Sequence, residues 1–510
     1  MERGQGMGED DVLDNPTGEE TGNGYSRFPI FSQESSGGDE ASTPFTGAAE
    51  GEEGAGAAGE LAPDFLKRAA AAVEEPEEPE EDSLLPRQPR TLVDVGLSKA
   101  FLTDLVLRII HYSGTPSAAQ LMRRLGLGQA IVQQLLSALT EEHLVEALSQ
   151  SDLYTGNYRY RLTDRGSRRV AEALERTRYA GPAPVTAEQY SEVMRRQQAN
   201  WQPPSRACIK EVMNELVLSG AVADAVARAL YSGKAAMLYG PSGNGKTSIL
   251  ERFTKNVDGV ALVPYAIYAQ GQVIRVFDPS IHEPLESVDS INVTKDDSKM
   301  DRRWALVRRP AVVLGADIGQ ESLELAYDPQ SRFYQAPPHI KAQGGVLFVD
   351  DFGRQKIEAR ELLTRWLIPL ERGWDTLSLV TGERVTVPFT TQFLLATNLD
   401  IRKLADDALL RRILYKVEIP KPRPQDFAEM LRRMCRQRRV LMPEGTLDYV
   451  VERLYSQREV EACASQSRDL VDRIVESAAF DGRDPVLDRE SFDKILRVFV
   501  AQQEHREPAS

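Results

Sequence analysis

Residues 235–250 read AAMLYGPSGNGKTSIL. A short apolar run leads into a glycine-rich turn and then into helix-forming residues. The spacing of Gly240, Gly245, Lys246 and Thr247 is G-x-x-x-x-G-K-[ST], that of a phosphate-binding P-loop or Walker A motif. Gly240, Gly243 and Gly245 let the backbone curl around an anion along a path that a Cβ would obstruct. Pro241, Ser242, Asn244 and Ser248 complete the predicted nucleotide-binding set. A helix starting near Lys246 adds the partial positive charge of its N-terminus. Lys246 suits the β- and γ-phosphates of a nucleotide, and the Thr247 hydroxyl suits Mg²⁺.

A second signal lies downstream, in residues 344–351, GGVLFVDD. Four apolar residues ending in two carboxylates describe a buried parallel strand whose C-terminal end emerges beside the phosphate site. This is the Walker B arrangement, with Asp350 holding Mg²⁺ through water and Asp351 orienting or deprotonating the attacking water. A helix is expected over 357–370. Two β-like runs around Thr381-Gly382 predict a hairpin over 375–389. The apolar run 392–397 predicts a strand ending at Asn398, whose amide can position a lytic water. A helix over 405–413 carries Arg411 and Arg412 in its last turn. A strand at 415–420 precedes the break KPRP at 421–424.

Together these residues resemble the AAA+ ATPase family over about residues 205–505. The resemblance implies that Asn398 is sensor 1 and that Arg411 or Arg412 is an arginine finger reaching a neighbouring subunit's nucleotide. It implies likewise that Arg468, in the sequence Ser467-Arg468-Asp469-Leu470, is sensor 2. The hairpin before Asn398 is similar to that of the pre-sensor-1 branch, which includes MoxR-like ATPases. Two departures stand out. The family usually has Glu where this chain has Asp351, so the carboxylate is shorter by one methylene and turnover is expected to be slower. From Lys246 to Asp350 the chain runs 104 residues. The surplus, around 265–328, reads as a family-variable insertion, in which residues 268–271 are a plain hairpin turn in preference to a pore-loop tip that grips a substrate chain. The sequence Asp351-Phe352-Gly353 spells a kinase motif without its catalytic loop. The glycosylation sequon at 292–294 has no secretory context.

The net charge of −15 over 510 residues belongs to one end of the chain. Residues 1–90 hold 22 acidic and 6 basic side chains, so the remainder is close to neutral. Residues 1–92 are rich in Gly, Ser, Glu and Pro and read as a disordered acidic tail, with one helix-prone island at 62–73. Three widely spaced cysteines show no metal-type pattern and read as reduced thiols. No uninterrupted apolar stretch is long enough to span a bilayer, and the N-terminus lacks the pattern of a signal peptide. A cytoplasmic protein is expected.

Helical periodicity at 97–112, 117–124 and 129–144 precedes a hairpin through Asp152 and Gly156 and a helix from 162 to about 178. Three helices followed by a β-hairpin resemble a winged helix over ~95–180. Its third helix has no Lys or Arg and carries Glu141 and Glu142, so protein interaction is preferred over DNA binding. Arg123, Arg124, Arg159 and Arg161 remain available to phosphates.

The expected fold is therefore an α/β P-loop NTPase core on a parallel sheet, of AAA+ type. A winged helix precedes it and a C-terminal helical lid follows. The domain boundaries expected are 1–92 (tail), 93–180 (winged helix), 181–204 (linker with one short helix), 205–420 (nucleotide-binding domain) and 421–510 (lid). The expected function is Mg²⁺-dependent ATP hydrolysis by a homo-oligomeric ring, a hexamer, that remodels or assembles a protein client recruited through the winged helix. A DNA-associated regulator or loader is one alternative. A nucleotide-gated scaffold with little turnover is another.

Overall fold

A computed structural model describes residues 85–148, 158–214, 216–285, 300–404, 410–456 and 462–504. The island at 62–73, the turn residues Asp152 and Gly156, the sequon at 292–294 and most of the helix expected over 405–413 lie outside the described residues.

After one turn of helix at Leu92–Val95, three longer helices follow: α1 (Lys99–Ser113), α2 (Ala118–Leu125) and α3 (Gln129–Glu141). Ser98 and Ser117 cap the first two through hydroxyls that accept from N3 amides, as their position before an apolar-periodic run leads one to expect. Helix α3 ends earlier than its periodicity suggests, because His143 takes a positive φ of 54° and turns the chain toward β1. Strands β1 (Val145–Leu148) and β2 (Arg159–Leu162) pair antiparallel, and α4 (Asp164–Arg176) follows.

The stretch expected to be a linker is folded. It holds β3 (Val185–Thr186) and the 13-residue helix α5 (Ala187–Ala199). Tyr190 and Met194 of α5 are fully buried, and Tyr190 stacks on Trp304 with ring centroids 6.2 Å apart. The flanking prolines read as loop signals in sequence, but tertiary burial of one helix face decides the outcome. The expected tail boundary moves as well. Pro86 accepts from the Asp301 amide at 2.7 Å, and Gln88 bridges Gly126 and Arg302, so residues 85–92 are part of the packed body.

Helices α6 (Arg206–Asn214) and α7 (Gly220–Tyr231) lead to β4 (Ala236–Tyr239), the P-loop and α8 (Lys246–Asn256). The chain then leaves the central sheet. Strands β5 (Val260–Pro264) and β8 (Trp304–Arg308) pair with each other. Strands β6 (Ala266–Ala269) and β7 (Gln272–Arg275) form a hairpin whose turn residues Gln270 and Gly271 both take positive φ. With β3, β10 (Ala326–Asp328) and β11 (Phe333–Gln335), this hairpin builds a second five-stranded sheet. Between these excursions lies β9 (Ala311–Leu314), a strand of the central sheet within the span expected to be an insertion. Only four residues long and bounded by Pro310 and Gly315, it carries too little periodicity to be read alone.

The central sheet is completed by β12 (Val346–Val349), β15 (Gln392–Thr397) and β16 (Tyr415–Glu418). All its pairs are parallel, in the order β16-β4-β15-β12-β9. Alternate residues face opposite layers, as the strand period requires. Leu238, Phe348 and Leu394 pack under α6, α7 and α8. Met237, Leu347 and Phe393 face α9 (Ala359–Arg372), with Trp366 of that helix fully buried. Parallel strands covered on both sides read as continuous apolar runs, and every residue of β15 is buried. Between α9 and β15, strands β13 (Trp374–Ser378) and β14 (Arg384–Pro388) form the hairpin the sequence suggests. After β16, helices α10 (Pro424–Arg438), α11 (Thr446–Ser456), α12 (Ala464–Asp481) and α13 (Arg489–Glu504) gather around a separate core that includes Phe427, Leu431, Leu470 and Phe492. Among the described residues no helix is long and apolar enough to cross a membrane.

Helices α1 to α4 share a hydrophobic core with the second sheet. Leu102, Ile109 and Tyr179 pack with Ala266, Val273 and Phe333, and Tyr179 meets Phe333 edge-on at 5.7 Å. Gly126, in the turn between α2 and α3, takes φ 67°, and a Cβ there would lie 2.8 Å from the Arg302 carbonyl oxygen. Arg303 is 3% exposed, pairs with Asp301, and donates to the Val95 carbonyl at 3.0 Å.

Candidate nucleotide site

The site forms where β4, β12 and β15 end on one edge of the central sheet. Gly240 follows β4 with φ 129°, and a Cβ there would meet the Ile419 carbonyl oxygen at 2.5 Å. Only glycine fits this approach. Gly245, at φ 87°, is the N-cap residue of α8, so Lys246 and Thr247 occupy the first turn. Lys246 is 4% exposed, and its ammonium donates to the carbonyls of Gly240 at 2.9 Å and Pro241 at 2.7 Å. Burial lowers the Lys246 pKa, and Asp351 and Asp350 oppose that shift.

Thr247 Oγ1 donates to Asp350 Oδ1 at 2.7 Å. Residues distant in the chain thus present a hydroxyl and a carboxylate to one point. Both are hard oxygen donors, the type Mg²⁺ selects. Asp350 is fixed from behind by its backbone amide, which donates to the Leu314 carbonyl at 2.9 Å. Next to it Asp351 takes a left-handed φ of 45°. Its Oδ1 accepts from Asn398 Nδ2 at 2.9 Å, across the gap between the ends of β12 and β15.

The arginines are less gathered. Arg411 is exposed, and Arg412 pairs with Glu371 of α9 at 3.0 Å. Both lie in a turn where the last turn of a helix is expected. Arg468 is exposed on α12, with Asp469 at 3.9 Å. No contact joins these three to the P-loop among the described interactions.

Sequence reading missed the contact between the P-loop and α12. The Ser465 amide donates to the Gly243 carbonyl at 2.8 Å, and the Ala464 amide donates to Asn244 Oδ1 at 3.2 Å. The amides at the start of α12 have no partners within the helix, so the P-loop satisfies two of them. Next to Asn244 a cleft is lined by Val217, Leu218, Val222, Pro420, Pro422 and Met430. Gln355 was also missed. Its side-chain amide bonds the backbone of Asp350, Asp351 and Gly353. No local pattern announces either contact.

Residues 423–496 match a family model described as a domain of unknown function (DUF8689). No curated protein matches the sequence. Among solved structures, NtrX from Brucella abortus is similar at 14% identity and a TM-score of 0.34, over 55% of this chain. This chain spans about half of that protein's length, 52%. NtrX from the same organism in complex with ATP is similar at 14% identity and a TM-score of 0.33, over 66% of this chain and 67% of that one. The Holliday junction branch migration motor RuvB of Thermotoga maritima is similar at 13% identity and a TM-score of 0.30, over 58% of this chain and 70% of that one.

Proposed function

We propose that this chain is an ATPase of the AAA+ type that binds ATP with Mg²⁺ and hydrolyses it to remodel or assemble a protein client. The observation that carries the reading is the 2.7 Å approach of Thr247 to Asp350, at the open end of a P-loop. The phosphates lie along residues 240–248, with Lys246 leaving its carbonyl partners for the β- and γ-oxygens. Thr247, and Asp350 through water, would hold Mg²⁺, which would supply positive charge against the phosphates. Asp351 accepts a proton from the attacking water, and Asn398 fixes both the carboxylate and the water. The cleft beside Asn244 takes the base between its prolines and aliphatic side chains.

Residues 93–180 serve as a winged helix and 421–510 as a lid in this reading. The subunits form a ring, a hexamer, in which Arg411 reaches a neighbour's nucleotide. Arg412 is the weaker candidate because Glu371 already engages it. Arg468 approaches the γ-phosphate as the lid closes. The exposed face of α3 presents Gln133, Gln134, Ser137 and Glu141, without a cation, which favours a protein client over DNA.

Titration of the full chain with ATP, in the presence and absence of Mg²⁺, tests the reading. Binding should tighten with Mg²⁺, and Asp350→Asn should abolish that gain. Equal affinity with and without the metal in the parent chain would refute the metal-assisted site.

A further inference from the structure

We propose that Gln355 is a positioning residue for Asp351, setting the turnover rate of the site without touching nucleotide. The inference rests on the reading above, in which Asp351 activates water.

Asp351 has an uncommon backbone for a residue with a side chain, φ 45°. Such a conformation persists only where the surroundings over-determine it. The Arg354 amide donates to the Asp351 carbonyl at 3.0 Å and the Phe352 amide to the Ala396 carbonyl at 2.7 Å, and Gln355 adds the side-chain part of the constraint. Its Nε2 donates to the Asp350 carbonyl at 2.8 Å and to the Asp351 carbonyl at 3.2 Å. Its Oε1 accepts from the Gly353 amide at 2.8 Å. One half-buried side chain therefore ties both acidic residues to the turn that follows them.

The constraint matters because the carboxylate is short. Aspartate reaches one methylene less than glutamate, so the backbone at 351 must bring its oxygen to the working position. In the left-handed conformation Oδ1 meets Asn398 Nδ2 at 2.9 Å. Without the Gln355 amide, residue 351 relaxes toward negative φ, and the carboxylate swings away from Asn398 and the end of β15. Thr247, Lys246 and Asp350 Oδ1 keep their places, since Asp350 is anchored to Leu314. The expected defect is therefore one of kcat and not of nucleotide binding.

The test is steady-state ATP hydrolysis and direct Mg–ATP binding by the full chain, with Gln355→Met and Gln355→Glu. Met preserves length and removes all three bonds. Glu retains an acceptor for Gly353 and loses the two donated bonds. Both variants should lose kcat on the order of 10- to 100-fold, as expected for a displaced reacting group. Their Kd for Mg–ATP should stay within about twofold of the parent. A kcat near the parent value in either variant overturns the proposal, as does a loss of affinity in step with kcat. A parent chain that turns over no ATP overturns the underlying reading instead, and this proposal with it.

Discussion

Asn398 donates from Nδ2 to Asp351 Oδ1 at 2.9 Å, joining the ends of two strands that are neighbours in the sheet. The amide fixes one carboxylate oxygen, and in the proposed function the other takes the water. Asn398→Ala should lower kcat on the order of 100-fold while Mg–ATP still binds, since a preorganised polar group is lost and the phosphate loop is untouched. Single-turnover hydrolysis alongside equilibrium binding separates the two. Parallel losses in both would mean that Asn398 supports the site's shape and not its chemistry.

Gly243 is the second point of contact between the P-loop and α12. Its φ is 76°, and an added Cβ would lie 2.9 Å from Ser465 Oγ and 3.1 Å from Cys463 Sγ. Gly243→Ala should destabilise the chain by about 1–3 kcal/mol, through backbone strain and the displaced helix start. ATP affinity should fall with it. Denaturant unfolding and ATP titration of the variant measure the two effects, and an unchanged unfolding midpoint would exclude the crowding at this contact.

Arg303 ties the segment just before α1 to the body, donating to the Val95 carbonyl while it pairs with Asp301. Burial pushes the Asp301 carboxyl above its usual range, even with the Arg303 guanidinium beside it. Removing the arginine leaves that carboxylate buried and unpaired, so Arg303→Ala should cost about 3–5 kcal/mol. Amide hydrogen exchange should show α1–α4 and the second sheet opening together in the parent, because the helices and the second sheet share one core. Helices that exchange well before that sheet would argue for an independently folding N-terminal unit.

Two buried histidines make stability depend on pH. His339 is fully buried. Its Nε2 lies 2.8 Å from Asp375 Oδ2, its Nδ1 has no partner, and burial lowers its pKa. His282 is lowered for the same reason, and its Nδ1 accepts from the Asp278 amide at 2.9 Å. Both are neutral when folded and titrate near 6.5 when unfolded. Unfolding thus takes up protons below that pH, and stability present above about pH 6.5 is lost as pH falls toward the lowered folded values. About 1.4 kcal/mol per pH unit is the ceiling of that slope for each histidine. Denaturant titrations from pH 7 to 5 check the sign. Stability that rises on acidification over this range would contradict neutral buried imidazoles.

The readable parts of the sequence were those in which chemistry is local. Gly240, Lys246 and Thr247 need one loop, and Asp350 and Asp351 need one apolar strand end, so spacing alone announces them. The hairpin at Thr381-Gly382 and the caps at Ser98 and Ser117 are local too. Contacts set by tertiary pairing were silent. Val185 pairs with Ile267 in parallel, and nothing near either residue signals it, so the short helix expected within 181–204 carries no sign that Tyr190 is buried in the core. Ala311 to Leu314 joins the central sheet beside β12 through a register no window could reveal. Gln355 lies in a turn like many others, and only the left-handed backbone at Asp351 gives its bonds a purpose.

The central claim is that Lys246, Thr247 and Asp350 enclose the phosphates of Mg–ATP. Steady-state phosphate release by the purified full chain tests it most directly, with Lys246→Ala measured in parallel. The account predicts release that requires Mg²⁺ and falls to background in the variant. Release that persists in Lys246→Ala, or a parent chain that neither binds nor cleaves Mg–ATP, would contradict it.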